Sequence, residues 1–85
     1  MASPAAVADA LEAFIRNQFR VSSDDPDFSR DVHLFEYGYV DSVGATEVLA
    51  FVESNFQVQV PDEQLFSEEA TTIHGFAAIV AALTT

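Results

Sequence analysis

The residue best suited to covalent chemistry in this sequence is Ser42, which lies in the run Gly-Tyr-Val-Asp-Ser-Val-Gly over residues 38–44. A serine hydroxyl can act as an esterase nucleophile, accept a covalent group, or cap a helix. The esterase hypothesis fails because the run lacks the first glycine of a nucleophile elbow and no strand precedes the serine. A chain of 85 residues is also too short for the sheet of that fold. Ser42 is therefore either a helix cap or a site of modification.

A second group of residues with chemical potential is acidic and lies just upstream. Oxygen ligands follow the spacing of a 12-residue EF-hand calcium loop at Asp25, Asp27, Ser29, Asp31 and, in the twelfth position, Glu36. However, Arg30 replaces the glycine that the sharp turn needs, and it places a positive charge among the ligands. Gly38 then interrupts the helix that should follow, and there is no second loop. A single EF-hand-like calcium site is therefore the alternative function.

The elements that position these residues are helical, and the first of them has clear start and stripe signals. Ser3-Pro4 is a helix start, with serine as the N-cap and proline at the first helical position. Apolar residues then follow at i, i+4, i+7 and i+8, namely Val7, Leu11, Phe14 and Ile15. We predict a helix from Pro4 to about Gln18 and mostly loop over residues 21–40. We expect that loop to contribute three core residues, Val32, Leu34 and Phe35.

The second helix is the most strongly patterned element. We assign Ser42 as its N-cap, with Asp41 beside the positive end of the helix. Its apolar stripe consists of Ala45, Val48, Leu49, Val52 and Phe56. The alternation of Val58 and Val60 resembles a strand, but a lone strand has no partner, so we predict a buried loop there.

Two further helices complete the chain. Asp62 begins a short helix of about five residues, and a last helix begins near Thr71 or Thr72. Gly75 lies inside the last helix and costs about 1 kcal/mol relative to alanine, so we expect its first turn to fray. The pattern predicts an all-α bundle of three longer helices plus one short helix, with a long loop between helices 1 and 2.

Composition restricts the partners and the location of the protein. There are 14 acidic residues, three arginines and no lysine, giving a formal net charge of −11. Such a surface repels nucleic acid and anionic membranes and attracts proteins with basic patches. There is no cysteine for a disulfide or thiolate site, no apolar run that spans a membrane, and no signal peptide. We predict a single domain over residues 1–85 that is soluble, cytoplasmic and monomeric.

The residues on both sides of Ser42 resemble a known family. Residues 34–44 resemble the carrier-protein motif Gly-x-x-Asp-Ser followed by an apolar residue. Downstream, the run Val-Glu-x-x-Phe-x-Val-x-Val-Pro-Asp-Glu over residues 52–63 is similar to the second helix and following loop of acyl carrier proteins. Asp-Ser alone occurs by chance in many proteins, but the match at both flanks is specific. The chain is therefore similar to the acyl and peptidyl carrier proteins, which implies an acyl-carrier-like helical bundle.

This resemblance implies a cofactor and a set of partner enzymes. A separate magnesium-dependent phosphopantetheinyl transferase would move a 4'-phosphopantetheine arm from coenzyme A onto the Ser42 hydroxyl. The terminal thiol of the arm would carry an acyl or aminoacyl group as a thioester, which gives a cysteine-free chain access to thiol chemistry. A phosphodiester at the first residue of a helix also faces unpaired N–H groups there. The chain would then be no enzyme itself but a free-standing carrier serving a loading enzyme and a downstream acyltransferase, synthase or condensing enzyme.

The resemblance also implies roles for residues around the serine. Asp41 is implied as a recognition neighbour, and Val43 stands at the apolar position that partner enzymes contact. Glu47 and Glu63 match acidic positions that face basic patches on partners. The alternative explanations are the helix dipole for Asp41 and ordinary packing or solvation for Val43 and Glu47. An acidic adaptor without chemistry, which would never be modified, is a further alternative.

The cargo is the least determined part of the resemblance. The Asp-Ser-Val-Gly run over residues 41–44 looks more like discrete D-alanyl or specialised-metabolism carriers than the fatty-acid carrier. Polyketide, nonribosomal peptide, D-alanyl and fatty acid pathways all stay open, because the loading enzyme chooses the cargo.

Overall fold

The computed structural model describes residues 2–84, which form an all-helical fold. Its elements are α1 (Pro4–Gln18), α2 (Ser42–Phe56), α3 (Asp62–Leu65), a 3-10 helix (Glu68–Thr71) and α4 (Ile73–Leu83). No strand occurs within residues 2–84. The predicted bundle of three longer helices, one short helix and a long first loop is confirmed. The 3-10 helix was not predicted.

The first helix begins at the predicted start signal and buries the predicted stripe. The Ser3 hydroxyl accepts a hydrogen bond from the backbone N–H of Ala6 at 3.1 Å. Three of the four stripe residues are almost fully buried, namely Val7, Leu11 and Ile15. The fourth, Phe14, is half-buried and stacks on Phe51 of α2, with ring centroids 4.3 Å apart. Burial of this stripe, chiefly against α4, holds α1 in the bundle.

The connecting segments supply much of the core. The loop between α1 and α2 contributes Phe28, Val32, Leu34 and Val40, and the segment after α2 contributes Val58 and Val60. The backbone N–H of Leu34 donates to the carbonyl oxygen of Thr71 at 2.9 Å, which fixes this part of the loop against the 3-10 helix. The prediction that Phe35 enters the core is wrong, because its side chain is 42% exposed. The backbone that directs Leu34 inward leaves its neighbour at the surface.

Ion pairs tie the same loop to α1. The Arg30 guanidinium pairs with Glu12 through Nε and with Asp9 through Nη2, both at 2.7 Å. The second carboxylate oxygen of Glu12 pairs with Arg16 Nε at 2.9 Å. Hydrogen bonds from Arg16 and then Arg30 lower the pKa of Glu12. Arg30 therefore joins the loop to the helix, whereas the bond between Arg16 and Glu12 lies within α1.

The structure contradicts the expectation that Gly75 weakens the first turn of α4. The first turn of α4 is capped, since the Thr72 hydroxyl accepts a hydrogen bond from the Gly75 N–H at 3.0 Å. A Cβ atom at residue 75 would lie 1.9 Å from the carbonyl oxygen of Glu69. Glycine is thus needed because the 3-10 helix backbone packs directly against α4.

The first and last described residues lie together at one end of the bundle. The backbone N–H of Ala2 donates to Thr84 Oγ1 at 3.0 Å. Both residues line a shallow pocket with Phe56, the last residue of α2. Within residues 2–84, every helix falls short of the length and apolar character required to cross a membrane.

Candidate functional site

The N-terminus of α2 is capped by Asp41. The Asp41 backbone is extended (φ −102°, ψ −174°), and its Oδ1 accepts a hydrogen bond from the Gly44 N–H at 2.7 Å. Its carbonyl oxygen accepts the N–H of Ala45 at 2.8 Å. The prediction that Ser42 is the N-cap is therefore wrong by one position. Aspartate and serine are comparably good caps, so the sequence did not separate them.

This capping arrangement leaves the Ser42 side chain available. Ser42 is the first residue of α2, it is exposed, and its hydroxyl makes no hydrogen bond to another residue between 2 and 84. The N–H groups of Ser42 and Val43 have no acceptor within the helix, because the first turn always lacks one. They also lie at the positive end of the helix dipole. A phosphodiester on the Ser42 oxygen fits this position, since it would face donors rather than acceptors.

Gly44 allows the Phe19 ring, just after α1, to pack closely against the first turn of α2. A Cβ atom at residue 44 would lie 2.7 Å from Cε1 of the Phe19 ring and 3.2 Å from Asp41 Oδ1. Phe19 follows α1 directly and packs edge-on against Phe14, with centroids 6.4 Å apart. The absence of a side chain at Gly44 therefore lets Phe19, at the end of α1, pack against the turn that presents Ser42.

An apolar groove runs beside Ser42 between α2 and the α3 region. It has a volume of about 410 Å³ and is lined by Phe35, Ser42, Ala45, Thr46, Leu49, Leu65, Phe66, Ser67 and Thr71. A small apolar cavity of about 40 Å³ lies in the adjoining core and shares three wall residues with the groove, namely Phe35, Ala45 and Leu65. Ser42 therefore stands at the edge of an apolar surface that can accommodate part of an attached group.

The other predicted site residues occupy the neighbouring side of α2 or lie on α3. Val43 is 70% exposed. Glu47 is also exposed, and it accepts a hydrogen bond from Gln18 Nε2 at 2.7 Å. Val43 and Glu47 line a polar pocket with Asp41 on the α1 side of α2, whereas Ser42 lines the groove on the α3 side. Glu63 is exposed on α3. The structure thus brings together Asp41, Val43 and Glu47 but places Glu63 on a separate helix.

Sequence reasoning missed the two exposed aromatic residues of the groove. Phe35 was assigned to the core, and Phe66 was assigned only to the short third helix. Phe66 is 82% exposed. Each ring directly follows a leucine, Leu34 before Phe35 and Leu65 before Phe66, so the local pattern does not separate a groove wall from a core residue.

The residues proposed for the alternative calcium loop are engaged in other contacts. Asp25 accepts a hydrogen bond from the Tyr39 hydroxyl at 3.0 Å, and Asp31 pairs with His74 Nδ1 at 2.7 Å. Arg30, in the middle of the segment, is bound to carboxylates of α1. Over residues 2–84, no group of three or more histidine, aspartate and glutamate side chains could hold a metal ion. The geometry gives no support to the calcium alternative.

Comparison with known proteins gives one family. A family model described as a phosphopantetheine attachment site matches residues 9–80. No significant match was found among curated proteins or among solved structures. The matched residues include α2, the groove and most of α1 and α4. The chain therefore belongs to the phosphopantetheine-attachment family of carrier proteins, whose members bear a covalently attached 4'-phosphopantetheine group.

Proposed function

We propose that Ser42 bears the 4'-phosphopantetheine arm and that the chain carries an acyl or aminoacyl cargo between separate enzymes. The observation that carries this assignment is the exposed Ser42 hydroxyl at the first position of α2, with the capping bond supplied by Asp41 instead. When bound, the arm supplies a terminal thiol that holds the cargo as a thioester.

Each residue at the turn has a physical role in this proposal. The backbone N–H groups of Ser42 and Val43 face the phosphodiester and stabilise its negative charge. Asp41 holds the first turn in place through Gly44, so the donors keep a fixed direction. Asp41 also adds a carboxylate beside the serine, which we assign to recognition by the phosphopantetheinyl transferase. The groove beside Ser42 offers apolar contact to the arm.

We assign partner contacts to Val43, Glu47 and Glu63. All three are exposed, and residues 31–85 contain neither lysine nor arginine. This part of the chain favours partner surfaces rich in lysine and arginine, whose approach it accelerates at low salt. The expected partners are the transferase, a loading enzyme, and a downstream acyltransferase, synthase or condensing enzyme. The cytoplasmic location stays a prediction from the sequence, as do the D-alanyl, polyketide, nonribosomal peptide and fatty acid assignments of the cargo.

The assignment of Ser42 is tested by adding the arm in vitro. The protein is incubated with coenzyme A, magnesium and a broad-specificity phosphopantetheinyl transferase, and intact mass spectrometry follows the product. We expect wild-type protein to gain one arm and Ser42→Ala to gain none. Ser54→Ala is the matched control, because Ser54 is exposed at the other end of the same helix, and it should be modified like wild type. Wild-type protein that several transferases leave unmodified would contradict the proposal.

A further inference from the structure

Phe66 is an unusually exposed aromatic residue on a hydrogen-bonded turn. It follows α3 directly and exposes 82% of its surface, more than any other large hydrophobic side chain in residues 2–84. Its backbone N–H donates to the carbonyl oxygen of Asp62 at 3.0 Å. The preceding residue, Leu65, packs against the core, whereas Phe66 does not. The ring is therefore presented to solvent by a hydrogen-bonded turn and does not pack against the core.

A single exposed phenylalanine on a protein surface needs no explanation, but Phe66 is part of a larger apolar surface, and such surfaces mark interaction sites. Phe66 lines the same groove as Ser42, and Phe35, itself 42% exposed, lines it as well. Two exposed aromatic rings thus border the groove at whose edge the modifiable hydroxyl stands. The apolar surface of this groove is continuous with the proposed site.

The charge around Phe66 defines the chemistry of a complementary partner. Four carboxylates lie within four residues of the ring in the sequence, at Asp62, Glu63, Glu68 and Glu69. All three arginines of the chain lie before residue 31, and two of them are held in ion pairs with Glu12. An aromatic ring within a negative rim fits an apolar socket bordered by lysine and arginine.

The enzyme that modifies Ser42 must bind closer to this groove than the enzymes that act on the attached arm. Its reacting centre has to reach the Ser42 hydroxyl itself, so its surface must cover the edge of the groove. An enzyme that acts at the far end of an attached arm can stand further away. On the basis of the proposed attachment at Ser42, we propose that Phe66 is the aromatic anchor of the phosphopantetheinyl transferase, and that its ring enters an apolar socket with a basic rim. Buried aromatic anchors commonly dominate the energy of protein interfaces.

The test compares rates of arm addition among variants. A broad-specificity phosphopantetheinyl transferase, coenzyme A and magnesium are used, and kcat/KM is measured for each form by intact mass spectrometry. We expect Phe66→Ala to lower kcat/KM about tenfold, mainly through KM, because an anchor contact is lost. Phe66→Leu should keep a rate between those of Phe66→Ala and wild type, since it retains part of the apolar side chain.

The matched control is Tyr37→Ala. Tyr37 is 61% exposed but lines no part of the groove, so its loss should change kcat/KM by less than about twofold. Equal melting temperatures of wild type and the Phe66 variants would show that the fold is intact. Normal arm addition to wild type with an unchanged kcat/KM for Phe66→Ala would overturn the anchor alone. Failure of wild type to gain an arm would instead overturn the assignment of Ser42.

Discussion

Asp41 Oδ1 accepts a hydrogen bond from the Gly44 N–H at 2.7 Å, and this bond spans the residue that we propose to be modified. A serine that caps its own helix would have its oxygen committed to a backbone donor. Here the neighbouring carboxylate performs that task, so the Ser42 oxygen stays free for a transferase. The aspartate before the serine therefore has a structural role, the capping of α2, that is separate from recognition.

Removal of the cap should destabilise α2 measurably. Asp41→Ala leaves the Gly44 N–H without its side-chain acceptor, and we expect the free energy of unfolding to fall by about 1 kcal/mol. Urea denaturation followed by circular dichroism measures this change. Asp41→Asn is the control, because asparagine caps equally well without charge, and it should restore most of the lost stability. An Asp41→Asn protein as unstable as Asp41→Ala would show that charge, not capping, matters here.

Replacement of Gly75 by alanine should destabilise the protein, although helix propensity alone favours alanine. Alanine is favoured over glycine in a helix by about 1 kcal/mol, yet its Cβ would come within 1.9 Å of the Glu69 carbonyl oxygen. Since that atom belongs to the backbone, it cannot move alone, and we expect Gly75→Ala to cost roughly 1–3 kcal/mol. Ala78→Gly, at an exposed position of the same helix, should cost about 1 kcal/mol through propensity alone. A stabilised Gly75→Ala protein in thermal denaturation would contradict the close approach of the two helices.

The pairing of Glu12 predicts a pH-dependent contribution to stability. Its arginine partners hold its pKa in the folded chain below the ordinary value of 4.5. A lowered folded pKa means that the contribution is present above pH 4.5 and is lost as the pH falls through the folded pKa. Glu12→Gln should therefore cost up to about 1 kcal/mol at pH 7, since the pairs are partly exposed. The difference from wild type should shrink toward zero in acid.

The control for this effect is Glu36→Gln. Glu36 is exposed and forms no ion pair within residues 2–84, so its replacement should change stability by less than about 0.5 kcal/mol. Urea denaturation at pH 7 and below pH 4 compares the three proteins. A Glu12→Gln difference that persists unchanged in acid would rule out the ion pairs as its source.

Local sequence signals predicted the helices well. Ser3-Pro4 and the 3.6-residue stripe of α1 predicted both of its ends, because capping and amphipathic burial depend on neighbouring residues. The apolar stripe of α2 and the start of α4 were equally readable. The segment around Val58 was predicted to be a buried loop because no second strand was available to pair with it.

The features that failed depend on contacts between distant parts of the chain. Gly75 looked like a weak point because its close approach to Glu69 arises only when the 3-10 helix packs on α4. Phe35 and Leu34 are adjacent and both apolar, and Leu34, which is buried, is the one whose backbone bonds to the distant Thr71. Whether Asp41 or Ser42 is the N-cap depends on which residue is the last one with an extended backbone, and here that residue is Asp41. The motif therefore predicted the candidate serine but not the groove beside it.

The meeting of Ala2 and Thr84 beside Phe56 has a practical consequence for immobilisation and fusion. Phe56 and Ser42 are the two ends of a 15-residue helix, which separates them by about 20 Å. A linker, a resin or a reporter domain joined at residue 2 or residue 84 would start at the far end of the bundle from the serine. A short linker would also join residue 2 to residue 84 without stretching the fold, because the two residues are hydrogen-bonded to each other.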